Sequence, residues 1–276
     1  MRIFLTGGTG YVGGAVLEAL VRGGHDVEAL VRNRERAAWV QARGAHPVLG
    51  DLTDPATYAD AAAAADGAIH AAFEYSARGP ATDAAAIDAL LRGGTRQRFV
   101  IYTSGVWVLG NQHSPADEST PPSPAPLVSW RPALEERVLN AATSGLRTAV
   151  IRPGLVYGGS RGFVSDLFKN AADGLVRIIG TGDNRWPLVY DRDLGELYLR
   201  VAANADASGV YHANDEGDER VNDLVTAIID HATVQPGVRR IPLAEARQKM
   251  GPVADALVLD QVVRSPRARA LGWHPS

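Results

Sequence analysis

The chain has 276 residues, with 46% hydrophobic and 21% charged positions, enough apolar material for the core of one large α/β unit or a unit with a smaller lobe. A net charge of −3 gives no electrostatic reason to expect nucleic acid or an anionic membrane as partner, and the absence of cysteine excludes disulfides and thiolate metal sites. Of the 28 basic residues only Lys169 and Lys249 are lysines, so chemistry that needs an amine has two candidates.

The start, Met1 to Gly14, reads as a strand running straight into a glycine-rich turn rather than as a secretory leader. With no apolar run of membrane-spanning length, the sequence predicts a cytoplasmic protein. Strands are expected over Arg2–Thr6, Asp26–Val31, His46–Leu49, Gly67–Ala72, Arg98–Thr103 and Thr148–Arg152. Helices are expected between them, over Tyr11–Arg22, Arg34–Arg43, Pro55–Ala64, Ala81–Leu91 and Pro132–Thr143. This alternation predicts an α/β fold, a Rossmann-type doubly wound parallel sheet over residues 1–158. Residues 111–127, with five prolines, read as an aperiodic exposed loop. Beyond residue 158 the alternation weakens. Short pieces such as Gly209–Ala213 and Gly237–Ile241 suggest a small C-terminal α/β lobe within 159–276 that shapes a substrate site, partly packed on the main sheet.

The strongest motif is Thr6-Gly7-Gly8-Thr9-Gly10-Tyr11-Val12-Gly13, between a strand and a helix. Gly7 serves the tight turn, Gly10 lets backbone approach a pyrophosphate, and Gly13 allows close strand–helix packing. The amides at the helix start, among Thr9, Tyr11 and Val12, then face the anion. The second strand ends in Arg32, not in the carboxylate that would hold the 2′-hydroxyl of NAD. Arg34 and Arg36 follow. A guanidinium there suits the 2′-phosphate of NADP, so NADP is preferred over NAD, against the plainer reading that these arginines only solvate a helix start. Asp51, followed by Leu52, either accepts from the adenine amino group or caps its own turn. Small residues at Ala71 and Ala72 let a cofactor pass over the sheet edge.

These stretches resemble the extended and atypical short-chain dehydrogenase/reductases, the NAD-dependent epimerase/dehydratase-like proteins. So do Phe-Val-Ile-Tyr-Thr-Ser-Gly at 99–105, Ile-Arg-Pro-Gly-Leu-Val-Tyr-Gly at 151–158 and Ala-Leu-Gly-Trp-His-Pro at 270–275. The resemblance implies that the glycine turn holds a dinucleotide, with Thr103, Pro153 and Val156 along its path and the latter two near the nicotinamide. It also implies a small-molecule substrate, and is compatible with a homodimer. Family members carry Tyr-x-x-x-Lys in the helix after the fifth strand. Here the helix starts Ser129-Trp130-Arg131-Pro132, and no tyrosine in the chain is followed by lysine four places on. Gly105 falls at the place of the family's catalytic serine.

Two residues stand in as catalytic candidates. Ser104 either orients a carbonyl or satisfies its own loop. Tyr157 is either the remaining proton donor or an anchor of its loop. Arg131 either supplies the missing lysine's charge or lies solvated, and Trp186 either borders the substrate pocket or is core. No metal-ligand spacing is present. The reading is therefore an NAD(P)-dependent oxidoreductase acting on a small organic carbonyl or alcohol. Two alternatives remain: a non-catalytic NmrA-like cofactor sensor, and a nucleotide-sugar epimerase or dehydratase.

Overall fold

Val27, Ala29 and Val31 alternate with less buried residues, whereas Ile3 to Leu5 run continuously apolar and are fully buried, as strands covered on both faces must be. The structure is a computed structural model describing residues 1–92 and 98–276. In chain order its elements begin β1 (Arg2–Thr6), α1 (Tyr11–Arg22), β2 (Asp26–Val31), α2 (Arg34–Gln41), β3 (His46–Leu49), α3 (Ala59–Ala64), β4 (Gly67–His70), α4 (Gly79–Leu91) and β5 (Arg98–Thr103). They continue with β6 (Gln112–Ala116), α5 (Arg131–Asn140), β7 (Leu146–Pro153), β8 (Leu155–Tyr157), α6 (Gly162–Ala172), β9 (Leu175–Ile179), β10 (Leu188–Tyr190) and α7 (Asp191–Ala203). The chain closes with β11 (Gly209–Ala213), α8 (Val221–Asp230), β12 (Gly237–Ile241), α9 (Leu243–Met250), α10 (Val253–Leu257), β13 (Gln261–Val263) and α11 (Pro266–Ala270).

The main sheet is seven-stranded and parallel, in the order β11-β7-β5-β4-β1-β2-β3, with the order reversing between β1 and β4. That reversal opens the crevice at the strands' carboxyl ends, where doubly wound sheets bind ligands. Helices α1 and α7 pack closely on one face, where a Cβ on Gly195 would stand 2.6 Å from the Ala15 carbonyl oxygen. A buried ion pair fastens α5 to β7: Arg152 donates to Glu135 from Nε (3.1 Å), and both side chains are nearly inaccessible. Such a pair is costly to break from one side only.

Three expectations are corrected. β11 is the seventh strand of the main sheet, in register with β7 from Gly209 opposite Ala149 to Ala213 opposite Pro153, and is not part of the lobe. β4 ends at His70, so Ala71 and Ala72 lie in the connection beyond it. The proline-rich segment is not wholly irregular: β6 pairs with β13, and Gln261 donates to the carbonyls of Val106 and Gly110 (2.8 Å each). Pro115 is tolerated because this is a two-stranded ribbon with free edges. Gly237–Ile241 does belong to the lobe, as β12 beside β9. Lobe packing is separate from the main core, built on Leu167, Val176, Ile178, Trp186, Leu188 and Val225.

Candidate functional site

The glycine turn is built so tightly that Gly7 and Gly13 leave no room for a side chain. Gly7 sits at φ +76°, and a Cβ there would lie 2.4 Å from the Ala71 carbonyl oxygen and 2.7 Å from the Ala72 nitrogen. A Cβ on Gly13 would lie 2.1 Å from the Gly7 carbonyl oxygen. The same carbonyl accepts from the Gly10 amide at 2.7 Å, closing the turn, and Gly10 stands at the N-cap of α1 with no side chain over the helix end. The first-turn amides of α1 therefore stay available to an anion. Gly7, Gly10, Gly13, Ala71 and Ala72 thus converge on the sheet's reversal point.

Tyr11 reaches across this turn and donates to the Gly158 carbonyl (2.7 Å), tying α1 to the loop after β8. Burial first, then the charge of Asp191, pushes its phenol up to about 12. It is a neutral structural donor at any physiological pH. Thr9 and Val12 are half-buried beside it.

Arg32 is exposed directly after β2, and its charge helps hold the Asp51 carboxyl below its ordinary range, so the two side chains share one edge of the crevice. The larger cause of that depression is the Thr53 backbone amide. Asp51 accepts from Thr53 N and Oγ1, both at 2.8 Å, as a cap on its own turn. Both bonds use Oδ1, which leaves the other oxygen without a partner among the described residues. Leu52 is half-buried against the small core under β3, with Phe4, Leu30 and Tyr58.

At the end of β5, Thr103 Oγ1 meets the Tyr198 hydroxyl at 2.6 Å. Ser104 donates its backbone N–H to the Ile151 carbonyl (2.8 Å), but its buried hydroxyl has no partner among the described residues. A buried polar group left unpaired costs free energy unless water or a ligand meets it, so this oxygen marks a place for one. Gly105 faces open space, the nearest atom to a Cβ being the Pro153 carbonyl oxygen at 3.8 Å. Ser104, Gly105 and Pro153 therefore border one another. Val156 packs on the main core opposite Val189 in the β8–β10 pair.

Tyr157 lies at the end of β8. Its ring lies 5.6 Å from that of Tyr190 and packs toward the lobe core. Burial first, then the charges of Asp215 and Asp193, raises its phenol above the ordinary value, so it stays protonated at neutral pH. Its hydroxyl has no hydrogen-bond partner among the described residues, while its ring is packed on the lobe core. Trp186 is buried, with Nε1 donating to the Leu257 carbonyl (3.0 Å), and it also borders a cavity in the lobe. His113 is exposed and, among the described residues, pairs only with Asp260 (3.3 Å).

Sequence reasoning missed a buried polar chain behind the crevice. Thr6 Oγ1 meets His70 Nδ1 at 2.7 Å, and His70 Nε2 meets Asp83 Oδ1 at 2.9 Å. The other Asp83 oxygen accepts from the Tyr102 hydroxyl (2.7 Å) and from Trp130 Nε1 (3.1 Å). Burial, the largest influence on Asp83, raises its pKa, yet the His70 hydrogen bond and charge, with the Arg131 charge, hold it below the ordinary value. Arg131 completes the chain, donating from Nη1 to the Thr103 carbonyl (2.7 Å) and the Tyr102 hydroxyl (3.2 Å). Its guanidinium lies 5.4 Å from the ring centroids of both Phe73 and Trp130. Arg131 is thus boxed at the crevice edge and not loosely solvated. The available signal was Asp83 itself, a single carboxylate in the alanine-rich stretch Ala81 to Ala86. Among the described residues no cluster of three His, Asp or Glu side chains could hold a metal, and no helix is long and apolar enough to cross a membrane.

Comparisons with known proteins agree with this geometry. The chain is 31% identical over 262 residues (90% of this chain, 78% of the relative) to 4-hydroxy-2-methyl-3-oxo-4-farnesyl-3,4-dihydroquinoline-1-oxide ketoreductase of Stigmatella aurantiaca. It is 30% identical over 255 residues (83% and 76%) to 2-alkyl-3-oxoalkanoate reductase of Stenotrophomonas maltophilia. Its fold matches that of MoeE5, solved in complex with UDP-glucose and NAD, with a TM-score of 0.83 at 19% identity, covering 100% of this chain and 94% of that one. Residues 3–214 match the NAD dependent epimerase/dehydratase family, and the chain belongs to that family.

Proposed function

We propose that the chain is an NADP-preferring oxidoreductase that reduces a small organic carbonyl, or oxidises the matching alcohol. The observation that carries this reading is the cradle at the sheet's reversal point: Gly7 and Gly13 have no room for a Cβ, and the amides of α1 stand uncapped beside it. The residues present fit a dinucleotide. Gly7, Thr9, Gly10, Tyr11, Val12 and Gly13 would hold the pyrophosphate through backbone. Arg32 would hold a 2′-phosphate and Asp51, with Leu52, the adenine end. Ala71, Ala72, Thr103, Pro153 and Val156 would line the path to the nicotinamide. When bound, that cofactor supplies or accepts a hydride at a carbon.

The chain's own part is position and protons. The unpartnered Ser104 hydroxyl offers a hydrogen bond to a substrate oxygen, next to Pro153. Arg131, fixed by Thr103 and an aromatic box, brings a permanent positive charge to the edge where an oxyanion would develop. It replaces the charge of a lysine but cannot pass on a proton. Tyr157, kept protonated by burial and by neighbouring carboxylates, is the proton donor of this reading, and favours reduction over oxidation. Two relatives whose names describe carbonyl reduction support that direction.

The test is calorimetric titration with NADPH, NADP⁺, NADH and NAD⁺ in parallel. NADPH binding that Arg32→Ala weakens, followed by carbonyl-dependent NADPH oxidation that Tyr157→Phe slows, is the expected result. The absence of the Tyr-x-x-x-Lys pair favours a second reading, a cofactor sensor without turnover. Preferential binding of the oxidised forms with no turnover would establish that instead. No binding of any form would overturn both.

A further inference from the structure

A cavity of about 560 Å³ lies in the lobe, between α6, the β9–β12 ribbon and α9. Its floor is apolar, including Leu167, Ile178 and Trp186, all buried. The one polar atom of Trp186, Nε1, is already bound to the Leu257 carbonyl, so the indole offers no donor to an incoming group. Four cations, Lys169, Arg177, Arg239 and Lys249, line the opening, including both lysines of the chain, together with the carboxylates of Asp166 and Asp173. Lys169 is paired with Asp166 (3.1 Å), while Arg239 (3.2 Å) and Lys249 (2.8 Å) share the single carboxylate of Glu245. Arg177 meets only the Asn170 side-chain oxygen (2.6 Å) and the Leu175 carbonyl, with no carboxylate within 4.0 Å among the described residues.

We propose that this cavity binds an amphipathic carboxylate, an unbranched medium-length hydrocarbon chain with an acidic head. The tail lies on the Leu167–Ile178–Trp186 floor and the head faces Arg177 and Lys249. Three features select this class. A concave apolar wall of this size suits a ligand that buries hydrocarbon. Counting Asp166, Asp173 and Glu245 against the four cations, the rim keeps one positive charge in excess, nearest to Arg177, which favours a negative head over a positive one. A nucleoside would bring several donors and acceptors onto a floor that cannot pair them, at a cost for each. The cavity also reaches toward the crevice: Phe163 lines it, and the Phe163 ring stands 6.2 Å from Trp107, three residues beyond Ser104. Binding there goes beyond the oxidoreductase reading and does not depend on it.

The experiment is calorimetric titration of the whole chain with decanoate in the absence of any nicotinamide cofactor, with decanol and UDP as parallel probes. The expected result is one saturable decanoate site per chain, with decanol about tenfold weaker or worse. Arg177→Glu combined with Lys249→Glu, both exposed, should weaken decanoate about tenfold or more, and Ala246→Phe, which fills the cavity, should abolish it. Should Ala246→Phe fail to fold, the double rim variant still decides. No saturable decanoate binding, equal binding of decanol, UDP binding displaced by decanoate, or indifference to the rim substitutions would each overturn the proposal.

Discussion

Asp83 gathers three donors, His70 Nε2, the Tyr102 hydroxyl and Trp130 Nε1, at 2.9, 2.7 and 3.1 Å. His70, Asp83 and Tyr102 are buried, and Trp130 half-buried. Asp83→Ala removes the acceptor of all three and leaves a gap too polar to close on itself. At about 1–3 kcal/mol for each buried group left unpaired, reduced where water reaches Trp130, the loss should be about 3–6 kcal/mol. Asp83→Asn should behave differently. The amide oxygen can take the Tyr102 and Trp130 donors, and its NH₂ can face His70 if the imidazole changes tautomer. His70 Nε2 then accepts, while Nδ1–H donates to Thr6 Oγ1, which a hydroxyl can accept. The loss should then be about 1 kcal/mol, that of one ordinary hydrogen bond weakened. Urea unfolding at constant m measures both variants, and nitrogen NMR of His70 reports the tautomer. An Asp83→Ala variant within about 1 kcal/mol of the parent, or an Asn variant as costly as Ala, would refute the view that this carboxylate is the node of the network.

Gly13→Ala would drive a methyl to 2.1 Å from the Gly7 carbonyl oxygen, so we expect a loss of about 2–4 kcal/mol in urea unfolding and loss of dinucleotide binding by calorimetry. Gly105→Ser has open space before it, the nearest atom lying at 3.8 Å, and should leave stability within about 0.5 kcal/mol of the parent in the same assay. His212 is buried, its Nδ1 near the Arg264 carbonyl (3.1 Å) and its Nε2 near Arg152 (3.4 Å); burial first, then the Arg152 charge, lowers its pKa to about 4. An unfolded histidine takes a proton near pH 6.5, before folded His212 does. Stability from this group is therefore full above about pH 6.5 and falls by up to about 3 kcal/mol as pH drops toward 4. His212→Gln should flatten the melting-temperature profile over that window, and an unchanged slope would remove His212 as its source.

The layered α/β class, the first strands and helices and the glycine turn were legible in the sequence, because these rest on local patterns. A buried strand must be apolar, a strand-to-helix turn over an anion must be glycine, and β1, α1, β2 and β3 stand at the residues their periodicity predicts. The place of Arg32 after β2 was legible for the same reason. What depends on distant partners came only with the folded chain. Gly209–Ala213 became the edge strand of the main sheet through pairing with β7, some 60 residues earlier. Gln112–Ala116 became a strand against Gln261–Val263 despite its proline. Asp83 looks unremarkable in the text, an acid on an alanine-rich helix, and Arg131 left two roles open, a stand-in charge or a solvated cation. Folding brings both to Tyr102, where burial turns single polar residues into a network, because an interior has few other partners to offer them. Tyr157 and Ser104 were readable as candidates from neighbouring motifs, whereas the surroundings of each, Tyr157 against Tyr190 and the lobe core and Ser104 held to β7 through the Ile151 carbonyl, come from strand pairings that no local pattern shows.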